Sequence, residues 1–550
     1  MSTQVVRRRR RSVLVVLVLA LALALVPHPR DANEPSSHRH FMAVAQEPLG
    51  VAEVEDACIS LTLLGCVGFV MATFYLVNWP DPDIRRISLE VINATISMFG
   101  ALLLFHSLEE LLEHYLLHHL TAWQQVAVAM LQMLVWFTVL QMILAYYSGA
   151  IGEQEEVVKR NTSQTLADRC GSPRSKALLQ RSAEEHFRAI KLNTHAWSIL
   201  LGHATGFAAK NACSMLQQTV PRNFWCCGLV PIISFFGICL IYRATNFFRY
   251  IKTMADGEED EFEMLWGEYT TETEDEVISL AISFLVVQML RYGISGELPL
   301  ASGEDAEGQV WHSNWSCALL VLIGLMPGAV DVVRVMCQRI AQKWRRYRRI
   351  ASGLSAESPT HYEQRSHHWC EGISTMSFAW CLHFAIDWFV ASHLHLLDGT
   401  VKAVISALAA ATLAFLLIFV LDKVADMHLE DVEVDQALRG MITGLGMLVG
   451  FSWERCFDAS VGGLARYEVL FGMSPPVNRV LLASFLALMV LPAWKWYILP
   501  MLHQLDHSNH VTNPIAEPVP ALGDETRLFG RVGPSQMMQV GKSESPKWVD

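Results

Sequence analysis

Charged residues are scarce in this sequence: Asp, Glu, Lys and Arg make up only 17% of its 550 residues, whereas 52% are hydrophobic. A soluble protein of this length would carry about 25% charged residues. The mean hydropathy is +0.28. The apolar residues fall in blocks of about 20, the length that crosses a hydrocarbon core as a helix. These properties exclude a string of soluble domains and predict a polytopic membrane protein.

Several other features are missing, and each absence excludes a class of protein. The alternating pattern of transmembrane strands is lacking, so the membrane segments are predicted to be helices and the fold all-α. The twelve cysteines include no CxxC spacing, which argues against a metal knuckle or a disulfide framework. The net charge of −12, with basic residues only in short runs beside apolar blocks, excludes nucleic acid as a partner.

Motifs with a known catalytic or conducting mechanism are lacking as well. The sequence contains no HExxH, GxSxG, P-loop or Gly-rich dinucleotide motif. It also has no TVGYG-type filter and no regular Arg ladder, which argues against a potassium channel and a voltage sensor. No cofactor is therefore predicted, and enzymatic activity is not the favoured function.

The N-terminus predicts entry into the secretory route. Arg7–Arg11 is a basic run, and the unbroken apolar segment Ser12–Val26 follows it, as in a signal peptide or signal anchor. The complete predicted division is a signal segment at 1–26, a non-cytosolic segment at 27–56, a first helical half at 57–247, an acidic cytosolic linker at 248–275, a second helical half at 276–505 and a disordered cytosolic tail at 506–550.

Eleven helical spans are predicted after the signal segment. They are 57–78, 89–112, 123–148, 190–215, 224–247, 276–294, 316–337, 369–391, 400–421, 436–456 and 478–499. Lys and Arg concentrate in the loops 150–189 and 338–368, which the positive-inside rule places in the cytosol. The chain is then an integral protein of the secretory route or plasma membrane, with a non-cytosolic N-terminus and a cytosolic C-terminus. The sequon at Asn314 lies outside the cytosol and is a glycosylation candidate.

A parallel internal repeat is predicted between spans 2–4 and spans 8–10. Ile96-Ser97, His106 and Glu110 in span 2 have the same spacing as Ile373-Ser374, His383 and Asp387 in span 8. Spans 4 and 10 share the pattern Gly-xxx-Gly-Phe, ending at Phe207 and Phe451. Parallel repeats are a known transporter architecture. The glycines themselves are more typical of close helix packing than of a binding site.

Ionisable residues at membrane depth are the candidate functional residues, because each costs a few kcal/mol unless it faces a partner or water. His106 and Glu110 lie one helical turn apart, and His114 and His118 continue the same face of span 2. Such a ladder could relay protons or bind a transition metal, since imidazole and carboxylate suit both tasks. A structural hydrogen bond between helices is the alternative for the first two, and an interfacial position is the alternative for His114 and His118.

Other helices are expected to bring polar groups to the same outer-half layer. The full candidate set is His106, Glu110, His383, Asp387, Glu454, Arg291, His203 and Lys210. Arg291 and Glu454 form either part of a pathway or a salt bridge that holds two helices together. The first four side chains are predicted to face the protein interior.

The favoured function is a multi-pass transporter for an ion or small polar solute, with proton coupling through the His and carboxylate pairs. A proton or cation channel is the first alternative. An intramembrane enzyme with His and acid groups as general acid and base, or a scaffold without transport, is the second. The predicted partners are the lipid bilayer and the transported ion or solute.

Overall fold

Every regular element in the part of the chain that the structure describes is helical. A computed structural model describes residues 64–151 (except 66), 173–254, 260–305, 312–326, 361–394, 399–427, 432–466 and 473–504. The α-helices are α1 (Val67–Val77), α2 (Pro82–Tyr115), α3 (Ala122–Ser148), α4 (Pro173–Thr219), α5 (Phe224–Thr253), α6 (Glu261–Ser295), α7 (Asn314–Met326), α8 (His361–His393), α9 (Gly399–Met427), α10 (Val432–Ala465) and α11 (Pro475–Ala493). A 3₁₀ turn (Leu117–His119) follows α2, and a π-helical turn (Trp494–Ile498) continues α11.

Local sequence signals explain where the better-defined helices begin and end. Asp260 caps α6 by accepting hydrogen bonds from the backbone of Phe262 and Glu263, and the Glu263 side chain accepts one in return. Such a capping box satisfies amides that the first helical turn leaves unpaired. Helices α3 and α6 end at Gly149 and Gly296, whose φ angles of 85° and 79° are left-handed and favour glycine.

Seven of the described helices are long and apolar enough to cross a membrane: α2, α3, α5, α6, α8, α9 and α11. This supports a membrane-embedded helical protein, but the predicted count of eleven spans stays a prediction. Helices α4 and α10 correspond to the predicted spans 190–215 and 436–456, and neither is among these seven. The short helices α1 and α7 adjoin residues outside the described part of the chain. The predicted signal segment and the tail 506–550 also lie outside it.

Five helices form a closed ring of neighbours. Helix α4 packs on α6, α6 on α8, α8 on α10, α10 on α2, and α2 on α4. In the most apolar window of α2, α6 and α8, 61–67% of the residues are buried, compared with 22–28% for α3, α5 and α11. The ring is therefore the centre of the bundle, and α3, α5 and α11 lie around it. Their outward faces carry large exposed apolar residues such as Leu131, Phe236 and Leu488, as expected for contact with lipid.

The glycines of the predicted repeat lie at two interfaces of the ring. A Cβ at Gly202 or Gly206 of α4 would lie against α6, at Thr273 and Val277 respectively. The corresponding glycines of α10 face α2 instead, where a Cβ at Gly450 would lie 2.9 Å from the Met98 sulfur. Glycine thus allows close helix approach at both interfaces. The repeat itself stays a prediction.

A third close approach joins α8 and α10, and it provides a test of the ring. A Cβ at Gly444 would lie 2.8 Å from Thr375 Cγ2 and 3.0 Å from its backbone oxygen. Because the backbone cannot yield as a side chain can, we expect Gly444→Ala to lower the stability by about 1–3 kcal/mol. Gly463→Ala on the same helix meets no atom within 4 Å and should gain up to about 1 kcal/mol from helix propensity. Unfolding of both variants in detergent measures the difference, and equal stabilities would contradict the tight packing.

The predicted acidic linker 248–275 is largely helical, because α5 continues to Thr253 and α6 begins at Glu261. The long α4 extends beside the first turns of α6, where Ile190, Leu265 and Tyr269 form a small apolar cluster. This contact explains why an acidic stretch is ordered as a helix rather than as a solvated loop.

Candidate functional site

A polar cavity of about 600 Å³ lies among the ring helices toward the end where α2 finishes. We call it the upper cavity. It is lined by α2, α3, α4, α8, α10, the start of α11 and the loop after α6. Three basic side chains line it, Lys210, Arg455 and Arg479. The six carboxylates of its wall are Glu109, Glu110, Glu113, Glu304, Glu454 and Asp458. Acidic groups therefore outnumber fixed cations, which favours a cationic occupant.

His106 of α2 lies against two carboxylates of α10. Its Nδ1 atom is 3.0 Å from Glu454 Oε1 and 3.8 Å from Asp458 Oδ1. The carboxylates are one helical turn apart, so both reach the same face of α10. The contact at 3.0 Å does not have hydrogen-bond geometry, and neither His106 Nδ1 nor Glu454 Oε1 has another hydrogen-bond partner in the structure. We call these three residues the His106 cluster.

Arg479 connects the His106 cluster to the second predicted residue of α2. Its guanidinium forms ion pairs with Glu110 and with Asp458. One cation from the second turn of α11 thus bridges α2 and α10. Glu110 is a partner of Arg479 and does not contact His106, although the two residues share a helix face.

The residues predicted on α8 form a second group beside the same cavity. Asp387 forms an ion pair with Arg455, and its Oδ2 lies 3.5 Å from His383 Nε2. The hydroxyl of Ser452 donates to the Leu448 carbonyl, so it accepts a hydrogen bond of 3.1 Å from His383 Nδ1. His383 is only 4% exposed. Ordinary polar contacts between α8 and α10 therefore satisfy both predicted residues.

A short loop after α6 covers one side of the upper cavity. Buried Arg291 donates to the Gly303 carbonyl at 2.7 Å and to Asp305 Oδ1 at 2.7 Å. Lys210 donates to the carbonyl of Ser302 at 3.3 Å. Two buried cations thus hold the loop from below. Gly303 has a φ of 99° and packs against aromatic rings, so a side chain there would be strained.

Asp305 is the anion that neutralises this loop site. It also accepts hydrogen bonds from His312 Nε2 at 3.2 Å and from the Trp388 indole at 2.9 Å. Burial alone would raise the pKa of Asp305, but the hydrogen bond from His312 and the charge of Arg291 hold it below its ordinary value. Of the two alternatives for Arg291 and Glu454, the salt bridge between them does not form: Arg291 pairs with Asp305, and Glu454 contacts His106.

Aromatic rings form the floor of the upper cavity. Trp380 stacks on Phe451 with ring centres 3.9 Å apart and planes at 11°. Phe207 lies beside them, 5.8 Å from the Phe451 ring and 6.1 Å from the His106 ring. These rings come from α4, α8 and α10, and they separate the charged groups above from the polar groups below.

A second cavity, of about 310 Å³, lies under this floor. We call it the lower cavity; α2, α4, α6, α10 and Leu502 line it. At the top of this cavity a hydrogen bond joins α2 to α4. The Ser97 hydroxyl donates to the Ala94 carbonyl of its own helix, and it accepts a hydrogen bond of 3.2 Å from His203 Nε2. The other ionisable groups in the wall are Glu90, His195, Glu272 and Glu276. Among the described residues, the two cavity walls share no member.

The two cavities lie at opposite ends of the same helices. On α4, His203 lines the lower cavity and Phe207 the upper one. On α10 the corresponding pair is Met447 and Phe451. Four residues of helix correspond to about 6 Å. The barrier between the cavities, which we call the septum, is therefore about one helical turn thick along these two helices.

An ion-pair network outside both cavities was not predicted from the sequence. Arg365 of α8 pairs with Glu274 and Asp275 of α6, each at 2.9 Å, and the Trp369 indole donates to Asp275. Burial opposes the charge of Arg365, but Asp275 and Glu274 raise its pKa above the ordinary arginine value. Glu274 also accepts from Thr245 on α5. The network fixes α6 between α5 and α8 and leaves no side chain directed at a cavity.

The structure brings most of the predicted site residues to the two cavities. His106, Glu110, His383, Glu454 and Lys210 line the upper cavity, and His203 lines the lower one. Arg291 and Asp387 lie behind the upper wall in the ion pairs described above. Asn314 is the exposed first residue of α7, and its glycosylation stays a prediction.

Arg479 was not among the candidate site residues predicted from the sequence. Its position inside the eleventh predicted span, 478–499, could have identified it, because a charged residue at membrane depth needs a partner. The partner of Arg291 could not be predicted in this way. Asp305 lies in the loop after α6, where other acidic residues surround it in the sequence.

Comparisons with protein-family models, curated proteins and solved structures found no match for this chain. The function is therefore argued from the two cavities and their residues.

Proposed function

We propose that the chain is a multi-pass membrane transporter that moves an ion or small polar solute between the upper and the lower cavity. The observation that carries the proposal is the pair of polar cavities at opposite ends of one helix ring, about 600 and 310 Å³, with a septum of about one turn between them. With the predicted orientation, the upper cavity opens on the non-cytosolic side and the lower cavity on the cytosolic side.

The closed septum favours a transporter over a channel. A channel conducts through a continuous wet path, whereas stacked rings and the Ser97–His203 contact lie between these cavities. Transporters bind solute near the middle of the membrane and expose the site to one side at a time. Opening the path requires movement at the septum, which is thinnest along α4 and α10.

The charged residues of the cavities also support transport. An ionisable group at membrane depth faces a partner or water. Glu276 of α6 lines the lower cavity and has no ion pair or hydrogen bond within the described part of the chain, so water or a solute would have to solvate it. A scaffold without transport does not require ionisable residues in two cavities on opposite sides of the aromatic rings.

Cysteine accessibility tests the arrangement directly. Ala301 lines the upper cavity and Ala94 the lower one, and neither side chain makes a polar contact. Each is replaced by Cys in a background without the twelve native cysteines, and sealed vesicles are treated with a charged, membrane-impermeant maleimide. We expect Ala301→Cys to react from the non-cytosolic side only and Ala94→Cys from the cytosolic side only.

Phe236 is a matched control, because it is 66% exposed on the lipid side of α5. Phe236→Cys should react from neither side, since hydrocarbon excludes the charged reagent. Labelling of Ala301→Cys and Ala94→Cys from the same side would contradict the proposal, and so would failure of both to react.

A further inference from the structure

The His106 cluster has the composition and spacing of a three-ligand metal site. His106 Nδ1, Glu454 Oε1 and Asp458 Oδ1 all lie within 4.8 Å of one another. Ligand atoms at 2.0–2.2 Å from a tetrahedral metal are about 3.3 Å apart. The separations of 3.0 and 3.8 Å from His106 bracket that value, so small side-chain adjustments bring the three atoms into one coordination shell.

The hydrogen bonding of the cluster points independently to a ligand that its members would share. The Glu454 side chain is only 9% exposed, yet its Oε1 accepts no hydrogen bond, and the buried Nδ1 of His106 has no hydrogen-bond partner either. Buried polar atoms are nearly always hydrogen-bonded, because an unpaired one loses the hydrogen bonds that it makes to water. The two atoms lie 3.0 Å apart, and Asp458 Oδ1 lies 3.8 Å from the imidazole, so a single cation among them would contact all three side chains.

We propose that the His106 cluster binds a divalent transition-metal cation of the Mn²⁺ or Zn²⁺ type, and that this cation is the solute. The second part rests on the transport function proposed above. One imidazole and two carboxylates suit such metals better than Mg²⁺, which prefers oxygen ligands and retains its water. Three protein ligands leave a coordination position open, which suits an ion that must also leave the site.

Arg479 provides a reason for the site to be stable without its cation. Its guanidinium contacts Asp458 and Glu110 together. When a metal takes Asp458, Arg479 keeps Glu110 as its partner, so neither charge is left alone. The metal thereby replaces the guanidinium of Arg479 as the partner of Asp458, and the ion pair between α11 and α10 breaks on the same step.

The lower cavity offers the same ligand chemistry on the other side of the septum. Imidazoles of His195 and His203 and carboxylates of Glu272 and Glu276 line its wall. Imidazole and carboxylate groups on both sides are what a transition-metal path requires. The two sets lie on opposite sides of the septum, which is about one turn thick along α4.

Metal titration of the purified full-length chain tests the site. Isothermal titration calorimetry with MnCl₂ or ZnCl₂, after removal of any affinity tag, should give one tight site per chain, and MgCl₂ should bind much more weakly. Glu454→Gln and Asp458→Asn should each weaken Mn²⁺ binding by at least about tenfold, the range expected when metal coordination is disturbed. His106→Gln should weaken Zn²⁺ binding similarly.

Two variants control for charge and for histidine content. Glu113→Gln removes a carboxylate from the same cavity without touching the cluster, and His114→Gln removes an exposed imidazole from the same helix. Both should bind the metals as the unmodified chain does. Size-exclusion profiles and unfolding temperatures identify any variant that fails to fold, and such a variant is set aside. The metal affinities of the cluster variants that fold then test the proposal. Absence of a stoichiometric site, or equal binding by the cluster and control variants, would overturn the proposal.

Uptake of ⁵⁴Mn²⁺ into proteoliposomes separates the metal site from the transport function. Cluster-dependent binding without uptake would uphold the site and contradict its role as the transported solute. Two-sided cysteine labelling without metal binding would uphold the transporter and eliminate the metal as its solute.

Discussion

Replacement of Phe207 by Ala should join the two cavities and make reconstituted vesicles leak protons. The Phe207 ring is 3% exposed, and it lies one turn above His203 on α4. Removing it takes away the apolar part of the septum on this helix, so that water can connect the His106 cluster to His203. Apolar constrictions block permeation by excluding water, and we expect the leak to rise at least about tenfold over that of the unmodified chain.

The measurement uses a trapped pH-sensitive dye and an imposed pH gradient. Phe137→Ala is the matched control, because its ring is equally buried at 2% exposure and packs on Tyr242, away from both cavities. Each substitution should cost about 3–5 kcal/mol of stability through the lost ring. Only Phe207→Ala should leak. Equal leak rates in the two variants would mean that the septum does not separate the cavities at Phe207.

Asp305→Asn should destabilise the protein by about 3 kcal/mol, because it leaves the guanidinium of Arg291 without its anion. Arg291 is 1% exposed, whereas the Asp305 side chain reaches solvent with 36% of its surface. The reverse change, Arg291→Met, should therefore cost less, since the remaining carboxylate keeps His312 and Trp388 as donors. The double variant should lose less than the sum of the two. Unfolding by SDS in mixed micelles measures all three.

The pH dependence of this effect follows from the lowered pKa of Asp305. A carboxyl group with a folded-state pKa below its unfolded value, about 3.9, stabilises fully above that value. The stabilisation is lost as the pH falls through the folded-state pKa. The difference between the unmodified chain and Asp305→Asn should therefore be constant from neutral pH to about pH 5 and should shrink on further acidification. A difference that grows on acidification would contradict the assigned role of Asp305.

The sequence predicted the helices well, because the length and polarity of an apolar block are local properties. The predicted spans 89–112 and 123–148 lie within α2 and α3, for example. The presence of polar groups in the upper half of several helices was also predictable from helical rise alone. His106 and Glu454 were both expected in that layer, and the structure places them 3.0 Å apart.

The partners of these groups could not be predicted, because they depend on which helices are neighbours. Glu110 pairs with Arg479, 369 positions away, and His203 contacts Ser97 across 106 positions. No periodicity links such residues. Composition also misled the interpretation of Glu274, which lies in an acidic stretch but is fully buried against Arg365. An acidic run is usually exposed to solvent. Glu274 is buried because Arg365, on a helix distant in sequence, forms an ion pair with it.

The length of helix α4 connects the septum mechanically to a distant part of the molecule. Its 47 residues span about 70 Å, more than twice the thickness of a hydrocarbon core of about 30 Å. With the predicted span 190–215, the segment before Ile190 lies outside the bilayer, and contacts such as Phe187 with Phe262 tie it to α6. Because the helix is continuous, it acts as a lever: a rotation imposed on its outer arm turns His203 and Phe207 together. A force applied to that arm, for example by a binding protein, would therefore act on the barrier between the cavities.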